Sequence, residues 1–124
     1  MLQVLFFVNH HQACRARVAR RGCSESHIGY ALKFILLDLA VKEFGKLDVL
    51  INNAGVMDDM AAMADVTDEK YDYVMGINVY GPLCSMRKAC QVFLAQGNGG
   101  NIINVSSMNS FRPLTRIPAY SGAK

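Results

Sequence analysis

The stretch Asn101–Lys124 reads NIINVSSMNSFRPLTRIPAYSGAK, and the arrangement of the rest of the chain can be worked out from it. It opens with a short β-type run that ends at two serines, Ser106 and Ser107. Twelve residues then separate Ser107 from Tyr120, and Lys124 follows the tyrosine by four positions. If Tyr120 opens a helix, residues i and i+4 share one face, so the phenol and the ammonium can meet. The pattern predicts a strand with a serine at its carboxyl end, next to a helix that carries a tyrosine–lysine pair.

Strands and helices are predicted to alternate along the chain. The predicted elements are a first strand within residues 1–8, a helix over 30–44, a strand over 47–51, a long helix over 69–96 and a strand over 102–105. The run LKFILLDL in the first helix could equally be a buried strand, because short apolar runs fit both. Gly76 and the pair Gly81–Pro82 predict a kink in the long helix. This alternation implies right-handed crossovers and an α/β fold with an open, doubly wound parallel sheet.

Two polar motifs follow two of these strands. The strand over 47–51 is a mostly apolar run, typical of a strand buried on both faces, and it is closed by NNAG at residues 52–55. The strand over 102–105 is closed by the two serines. In open parallel sheets, ligands bind beyond the carboxyl ends of the strands. The sequence therefore predicts a site at this edge of the sheet.

The formal net charge of +3 is unevenly distributed. Residues 1–24 hold four arginines and no acidic residue, whereas the other 100 residues hold nine basic and ten acidic side chains. The body of the protein therefore has no electrostatic reason to bind nucleic acid. Two less favoured hypotheses concern the basic segment Arg15–Arg21. It could form an anion-binding arm, or it could belong to a transit peptide, since transit peptides are Arg-rich and poor in acidic residues. The plainer interpretation is a solvated amphipathic helix.

Composition indicates one globular domain in a reducing compartment. The chain of 124 residues is 52% hydrophobic and 19% charged, which is typical of a folded protein. The apolar run over residues 1–8 is too short to span a bilayer, which takes roughly 20 residues. The four cysteines form no CxxC pair, so we expect reduced thiols in the cytoplasm and neither a metal site nor a disulfide.

Four motifs stand in the order and approximate spacing of the short-chain dehydrogenase/reductase family, which the chain resembles over residues 39–124. They are LDVLINNAG (47–55), INVYG (77–81), NIINVSS (101–107) and YSGAK (120–124). The resemblance implies a Rossmann-like fold and an NAD(P)-dependent oxidoreductase that interconverts an alcohol and a carbonyl. It also implies a division into a divergent segment, residues 1–38, and a partial NAD(P)-binding domain, residues 39–124.

The resemblance implies a role for each matching residue. Tyr120 is the general acid that protonates the carbonyl oxygen, and Lys124 stabilises the phenolate and hydrogen-bonds the nicotinamide ribose. An ammonium about 4 Å from a phenolate is worth about 4 kcal/mol at an effective dielectric near 20. Ser107, rather than Ser106, orients the substrate oxygen, and Asn78 supports a water that leads to Lys124. The loop beside the adenosine half of the cofactor, NAD or NADP, consists of Asn52, Asn53, Ala54 and Gly55.

Substrate and partner expectations also come from the resemblance. Residues 106–124 are similar to family members that act on sugar acids and polyols, which makes Arg112 or Arg116 a candidate partner for a substrate carboxylate. The plainer interpretation of both arginines is a solvated loop position. In the family, the long helix corresponding to Glu69–Gln96 helps to form the oligomer interface. The expected partners are therefore a small alcohol or carbonyl and a second copy of the chain, with no membrane.

The chain departs from the family pattern at both ends. The nearest match to the family's Gly-rich turn is GCSESHIG at residues 22–29, where His27 replaces the middle glycine and would obstruct a pyrophosphate. Only 22 residues separate Gly29 from Asn52, where the family places two further strands and two helices. The sequence also stops at Lys124, in the first turn of the Tyr–Lys helix, where chains fray. A second hypothesis is therefore an inactive fragment that acts as an oligomerisation or interaction module.

Overall fold

A computed structural model describes residues 4–7 and 25–124, with side chains from residue 35 onward. Its described strands form a parallel sheet in the order β1-β2-β3. The strands are β1 (Val4–Phe7), β2 (Val49–Asn52) and β3 (Asn101–Asn104). The central strand aligns Val49 with Val4 on one side and with Asn101 on the other. The predicted parallel α/β class is confirmed, and two of the strands begin within two residues of the predicted position.

Helices connect the strands and follow the last of them. They are α1 (Glu25–Phe44), α2 (Asp68–Met75), α3 (Gly81–Gln96) and α4 (Pro118–Ala123), with 3₁₀ turns at Met63–Asp65 and Met108–Ser110. The strand alternative for LKFILLDL is wrong, because this run lies within α1. The same helix includes residues 25–29 of the candidate Gly-rich turn. The basic segment Arg15–Arg21 and residues 22–24 lie outside the described residues.

The long helix is interrupted by a π-helical turn at Gly76–Tyr80, between α2 and α3. This irregularity lies where the glycines predicted a kink. Such turns interrupt the i→i−4 ladder and often occur at functional sites. At the far end, Gly97 adopts the left-handed conformation with φ of 75°, and its N–H donates to the Phe93 carbonyl. That arrangement is a glycine C-cap.

The start of α2 is fixed by Thr67, whose hydroxyl accepts a hydrogen bond from the Lys70 N–H at 3.3 Å. Threonine is a preferred residue at this N-cap position. The Glu69 backbone N–H and then the Thr67 hydroxyl hydrogen-bond the Glu69 carboxylate and hold its pKa below the usual range. Both contacts stabilise the charged form of a fully exposed group.

The core lies between the sheet and the helix pair α1 and α3. It consists of Leu37, Leu47, Leu50, Ala89 and Phe93. The prediction that β2 is buried on both faces is wrong in detail, because buried and half-buried residues alternate along it. The β3 edge strand is mostly exposed. The prediction rested on the apolar composition of the strand. Burial also depends on which elements cover each face of the strand.

Candidate active site

The carboxyl ends of β2 and β3 meet at one edge of the sheet, where both polar motifs were predicted to lie. The Val105 N–H donates to the Asn52 carbonyl at 2.9 Å and continues the pairing beyond β3. A cavity of about 220 Å³ opens there, and its lining includes Asn52, Asn78, Ser106 and Lys124. The fold therefore brings residues of four separate sequence motifs to one cavity.

A network of polar side chains joins the strand ends to α3. The Asn52 side chain is buried and donates to Oδ1 of Asn104 at 2.8 Å. Ser85, which is fully buried in α3, donates from its hydroxyl to Oδ1 of Asn52 at 2.7 Å. Asn104 also contacts Sδ of Met86 at 3.2 Å through its amide nitrogen. Asn52 thus fixes the start of the NNAG loop, while Asn53 is exposed beside it.

Asn78 lies in the π-helical turn and holds the other end of that loop. Its Oδ1 accepts from the Val56 N–H, and its Nδ2 donates to the Val56 carbonyl, both at 2.8 Å. The side chain is 6% exposed. Two opposed hydrogen bonds reproduce the pattern by which neighbouring strands pair, so the amide takes the place of a β-partner for Val56.

Lys124 reaches the same place from α4. Its ammonium donates to the Val105 carbonyl at 3.0 Å. A Cβ added to Gly55 would lie 3.2 Å from both Cε and Nζ of Lys124 and 3.4 Å from Oδ1 of Asn78. A side chain at this position would therefore require the lysine to move by a few tenths of an ångström. The structure brings together Gly55, Asn78 and Lys124, which come from three of the motifs.

The two serines have different partners. Ser106 donates from its hydroxyl to the Lys124 carbonyl at 2.7 Å and shares a 2.8 Å hydrogen bond with the Ser110 hydroxyl. Ser107 is half-buried and accepts the Asn109 N–H at 3.2 Å, so it caps the following 3₁₀ turn. Ser106 is the serine that contacts the lysine, and Ser107 is positioned by the turn that follows it.

Tyr120 is held through its backbone by an aspartate that sequence reasoning missed. The Tyr120 N–H donates to Oδ1 of Asp58 at 2.7 Å, and the Ala119 N–H donates to Oδ2 at 2.8 Å. Asp58 lies between the strand predicted over 47–51 and the helix predicted over 69–96, where the sequence predicted no helix or strand. No local signal identifies it, because the carboxylate and the helix that it caps are about sixty residues apart.

Neither arginine lies in the lining of the cavity. Arg116 donates from Nε to the Met60 carbonyl at 2.9 Å, and Met60 has a positive φ of 61°. Arg112 is exposed in the loop before α4. The structure thus gives Arg116 a loop-anchoring contact and leaves the carboxylate-partner role of either arginine as a prediction.

Two cysteines lie in the part of the chain that the structure describes. Cys84 and Cys90 are free thiols, the first buried and the second exposed. No three metal-ligating side chains come together among the residues that the structure describes. Within the same part of the chain, no helix combines the length and apolar character needed to cross a membrane.

Comparison with known proteins identifies the family. Residues 34–124 match the short chain dehydrogenase family. The chain belongs to this family. The match begins five residues before the predicted boundary at residue 39 and includes Asn78, Ser107, Tyr120 and Lys124.

Two curated relatives share much of the sequence of this short-chain dehydrogenase. The 2-dehydro-3-deoxy-D-gluconate 5-dehydrogenase of Escherichia coli is 43% identical over 89 residues, which are 72% of this chain and 35% of the relative. The galactitol 2-dehydrogenase of Agrobacterium fabrum is 35% identical over 119 residues, 86% of this chain and 46% of the relative. The chain thus spans between a third and a half of the length of these relatives.

Solved structures give the same result for the fold. An NAD⁺-bound xylitol dehydrogenase matches with a TM-score of 0.70 and 29% sequence identity. The match covers 77% of this chain and 36% of that chain. The Rossmann-like fold class is therefore shown, in incomplete form.

Proposed function

We propose that this short-chain dehydrogenase interconverts an alcohol and a carbonyl by hydride transfer with NAD or NADP, and that Tyr120 is its acid and base. The observation that carries the proposal is the meeting of Lys124 with Asn78 and Gly55 at the carboxyl edge of the sheet. Side chains that are distant in sequence converge on a cavity where open parallel sheets bind ligands. The half-buried Tyr120 lies one helical turn before the lysine.

The described residues fit the nicotinamide-ribose half of a dinucleotide. Lys124 supplies a donor for ribose hydroxyls, Gly55 lacks the Cβ that would displace it, and the cavity measures about 220 Å³. We assign the loop beside the cofactor to Asn52, Asn53, Ala54 and Gly55. Of the candidate Gly-rich turn at residues 22–29, residues 22–24 lie outside the described part of the chain and residues 25–29 lie within α1. When bound, the cofactor supplies or accepts the hydride.

The chain's own residues would handle the proton. In reduction, the Tyr120 phenol donates its proton to the carbonyl oxygen, and the positive charge of Lys124 stabilises the phenolate that remains. Ser107 orients the substrate oxygen. The Asn78 side chain is hydrogen-bonded to the Val56 backbone and supports a water through which the phenolate regains a proton from solvent. For oxidation of an alcohol, the proton moves in the opposite direction.

The proposed substrate class is a polyol or a sugar acid. The named relatives act on a deoxygluconate derivative and on galactitol, and the matched solved structure is a xylitol dehydrogenase. That structure also holds NAD⁺, which supports NAD over NADP for this chain. The free thiols at Cys84 and Cys90 support a reducing compartment, for which we propose the cytoplasm.

Cofactor titration tests the proposal. We expect NADH fluorescence to change on addition of the protein. We expect Lys124→Met to weaken this binding by about 10- to 100-fold, since a charged hydrogen bond contributes about 1.5–3 kcal/mol. Lys46→Met is the matched control, because Lys46 pairs with Asp48 at the amino end of β2. Tyr120→Phe should retain cofactor binding and lose turnover of galactitol or xylitol. Absence of any fluorescence change at millimolar NADH and NADPH would overturn the proposal.

A further inference from the structure

Asp58 makes an unusual contact with α4, the helix that carries Tyr120. Its carboxylate is 6% exposed and accepts two backbone N–H groups, one on each oxygen, at 2.8 and 2.7 Å. The donors are Ala119 and Tyr120. A buried carboxylate is stable only where such donors satisfy it, and short charge-assisted hydrogen bonds are the strongest kind.

The first turn of α4 has no other cap among the described residues. Ile117 stands at the N-cap position without a side-chain hydrogen bond, and Pro118 has no N–H. The Ser121 N–H already donates to the Ile117 carbonyl at 2.9 Å. Ala119 and Tyr120 are therefore the amides left without a partner inside the helix. One carboxylate from the loop after β2 satisfies both.

A second contact holds the same loop to the segment before α4. Arg116 donates to the Met60 carbonyl, two residues after Asp58, and Met60 has the left-handed backbone conformation. Asp59, the next residue after Asp58, forms an ion pair with Lys70 of α2 at 2.7 Å. The loop 58–60 is thus joined to α2 on one side and to the start of α4 on the other.

We propose that Asp58 is a positioning residue that sets the rotation and axial position of α4, and so the direction of the Tyr120 phenol. The proposal rests on the proposed function. The atom that Asp58 holds is the backbone nitrogen of Tyr120 itself, and Lys124 lies one turn further along the same helix. A rotation of α4 moves both side chains relative to Ser107. Since a misplacement of about 1 Å can cost about 100-fold in rate, this contact bears directly on turnover.

Two Asp→Asn substitutions, each of which removes one negative charge, test the proposal. Asp58→Asn keeps the shape but leaves one oxygen acceptor and turns an NH₂ group towards the other amide. Asp59→Asn is the matched control, because Asp59 is the next residue, its side chain is 74% exposed and it bonds neither amide of α4. Asp58→Ser, which retains one small acceptor, is a second variant in case the first is poorly folded.

The measurements are amide hydrogen exchange and steady-state kinetics. We expect Asp58→Asn to reduce the exchange protection of the Ala119 and Tyr120 amides by about tenfold, which is the effect of losing a typical helix cap. Protection in α3 should be unchanged. Turnover should fall by about 10- to 100-fold while the KM for NADH stays within about twofold. Asp59→Asn should leave all of these values unchanged.

Three outcomes overturn the proposal. The first is unchanged exchange at the Ala119 and Tyr120 amides in Asp58→Asn, and the second is an equal effect of Asp58→Asn and Asp59→Asn. The third is a loss of protection in α3 as large as that in α4, which would make Asp58 a general stability residue. Failure of the proposed function is a separate result. The wild-type chain would then bind no cofactor, while the exchange data would still show whether Asp58 fixes α4.

Discussion

At the scale of single residues, the site depends on side chains that bond to backbone. Asn78 bonds both polar groups of Val56, and Lys124 donates to the Val105 carbonyl. Each contact satisfies a backbone group that follows the end of a strand, where hydrogen bonding to the neighbouring strand no longer supplies a partner. Backbone groups buried without partners are costly, so these residues stabilise the loops as well as shape the cavity.

Asn78 provides a test at this scale. We expect Asn78→Ala to lower the free energy of unfolding by about 2–4 kcal/mol, because it leaves the N–H and the carbonyl of Val56 without their partner. Urea denaturation measures this value. Asn98→Ala is the control, since Asn98 is exposed after α3 and should change stability by less than about 0.5 kcal/mol. Equal effects of the two substitutions would contradict the prediction.

Gly55 provides a second test. Gly55→Ala places a methyl group 3.2 Å from the Lys124 ammonium, so the lysine must move by a few tenths of an ångström. We expect weaker NADH binding, by about three- to tenfold, with a change in stability below about 1 kcal/mol. Fluorescence titration and thermal unfolding measure the two quantities. Cofactor affinity equal to that of the wild type would show that the approach of the lysine does not matter.

At the scale of elements, the loop that connects α3 to β3 packs closely against the core. A Cβ at Gly100 would overlap the Phe93 ring, which belongs to the core. The loop after α3 therefore presses its backbone onto that ring. This packing and the hydrogen bonds from the Gln96 amide to the Leu47 and Gly99 carbonyls hold the loop that leads into β3.

Gly100→Ala should destabilise the protein by about 1–3 kcal/mol, because the Phe93 ring must leave its place in the core. Chemical denaturation measures the loss. Gly122→Ala in α4 is the matched control, since nothing lies within 4 Å of its added methyl group. There, alanine should stabilise the helix by up to about 1 kcal/mol. A stabilising effect at both positions would be inconsistent with the packing described.

The start of α2 gives a pH-dependent prediction. The folded state lowers the pKa of Glu69, so its contribution to stability is present above the ordinary carboxyl pKa and is lost as the pH falls through the lower folded value. Glu69→Gln should therefore lower the melting temperature slightly at pH 7 and have less effect near pH 3. Thermal unfolding at the two pH values measures the difference. An effect that is the same at both would count against the hydrogen bonds from Thr67 and the backbone.

At the scale of the whole molecule, much apolar surface is exposed. In the long helix, Leu83 is 45% exposed and Leu94 is 83% exposed. On α1, Ile35 and Phe44 are exposed to 59% and 60%. Exposed apolar surface of this kind is typical of a face that another protein element covers. The surface on α3 agrees with the expectation of a homo-oligomer formed through residues 69–96, which remains a proposal.

We expect the purified chain to self-associate, with an average mass that rises with concentration in light scattering. The double substitution Leu83→Lys and Leu94→Lys should shift it towards the monomer, because it places charge on the proposed interface. Leu114→Lys is the control, since Leu114 is 56% exposed but lies in the loop before α4. A wild-type chain that is monomeric at all concentrations would refute this interface.

The sequence alone predicted the family, the parallel α/β class, the long helix with its irregular middle and the Tyr–Lys helix. The family came from the resemblance of four sequence motifs, whereas the other features follow from periodicity and glycine positions, which are properties of neighbouring residues. It also predicted that Asn78 and Lys124 share a site, through the resemblance to the family. It did not distinguish helix from strand over LKFILLDL, because a short apolar run satisfies both patterns.

The tertiary structure decided which groups are partners. It pairs Asn52 with Asn104 and Ser85, it bonds Asn78 to the Val56 backbone, and it places Asp58 on the amides of Ala119 and Tyr120. Each of these pairs joins residues that are more than twenty positions apart in the chain. Such partners depend on how crossovers bring strand ends and helix ends together, and no local spacing encodes that distance. The serine, tyrosine and lysine could be recognised from the sequence of Asn101–Lys124. The aspartate that holds the helix of the tyrosine could be identified only in the folded chain.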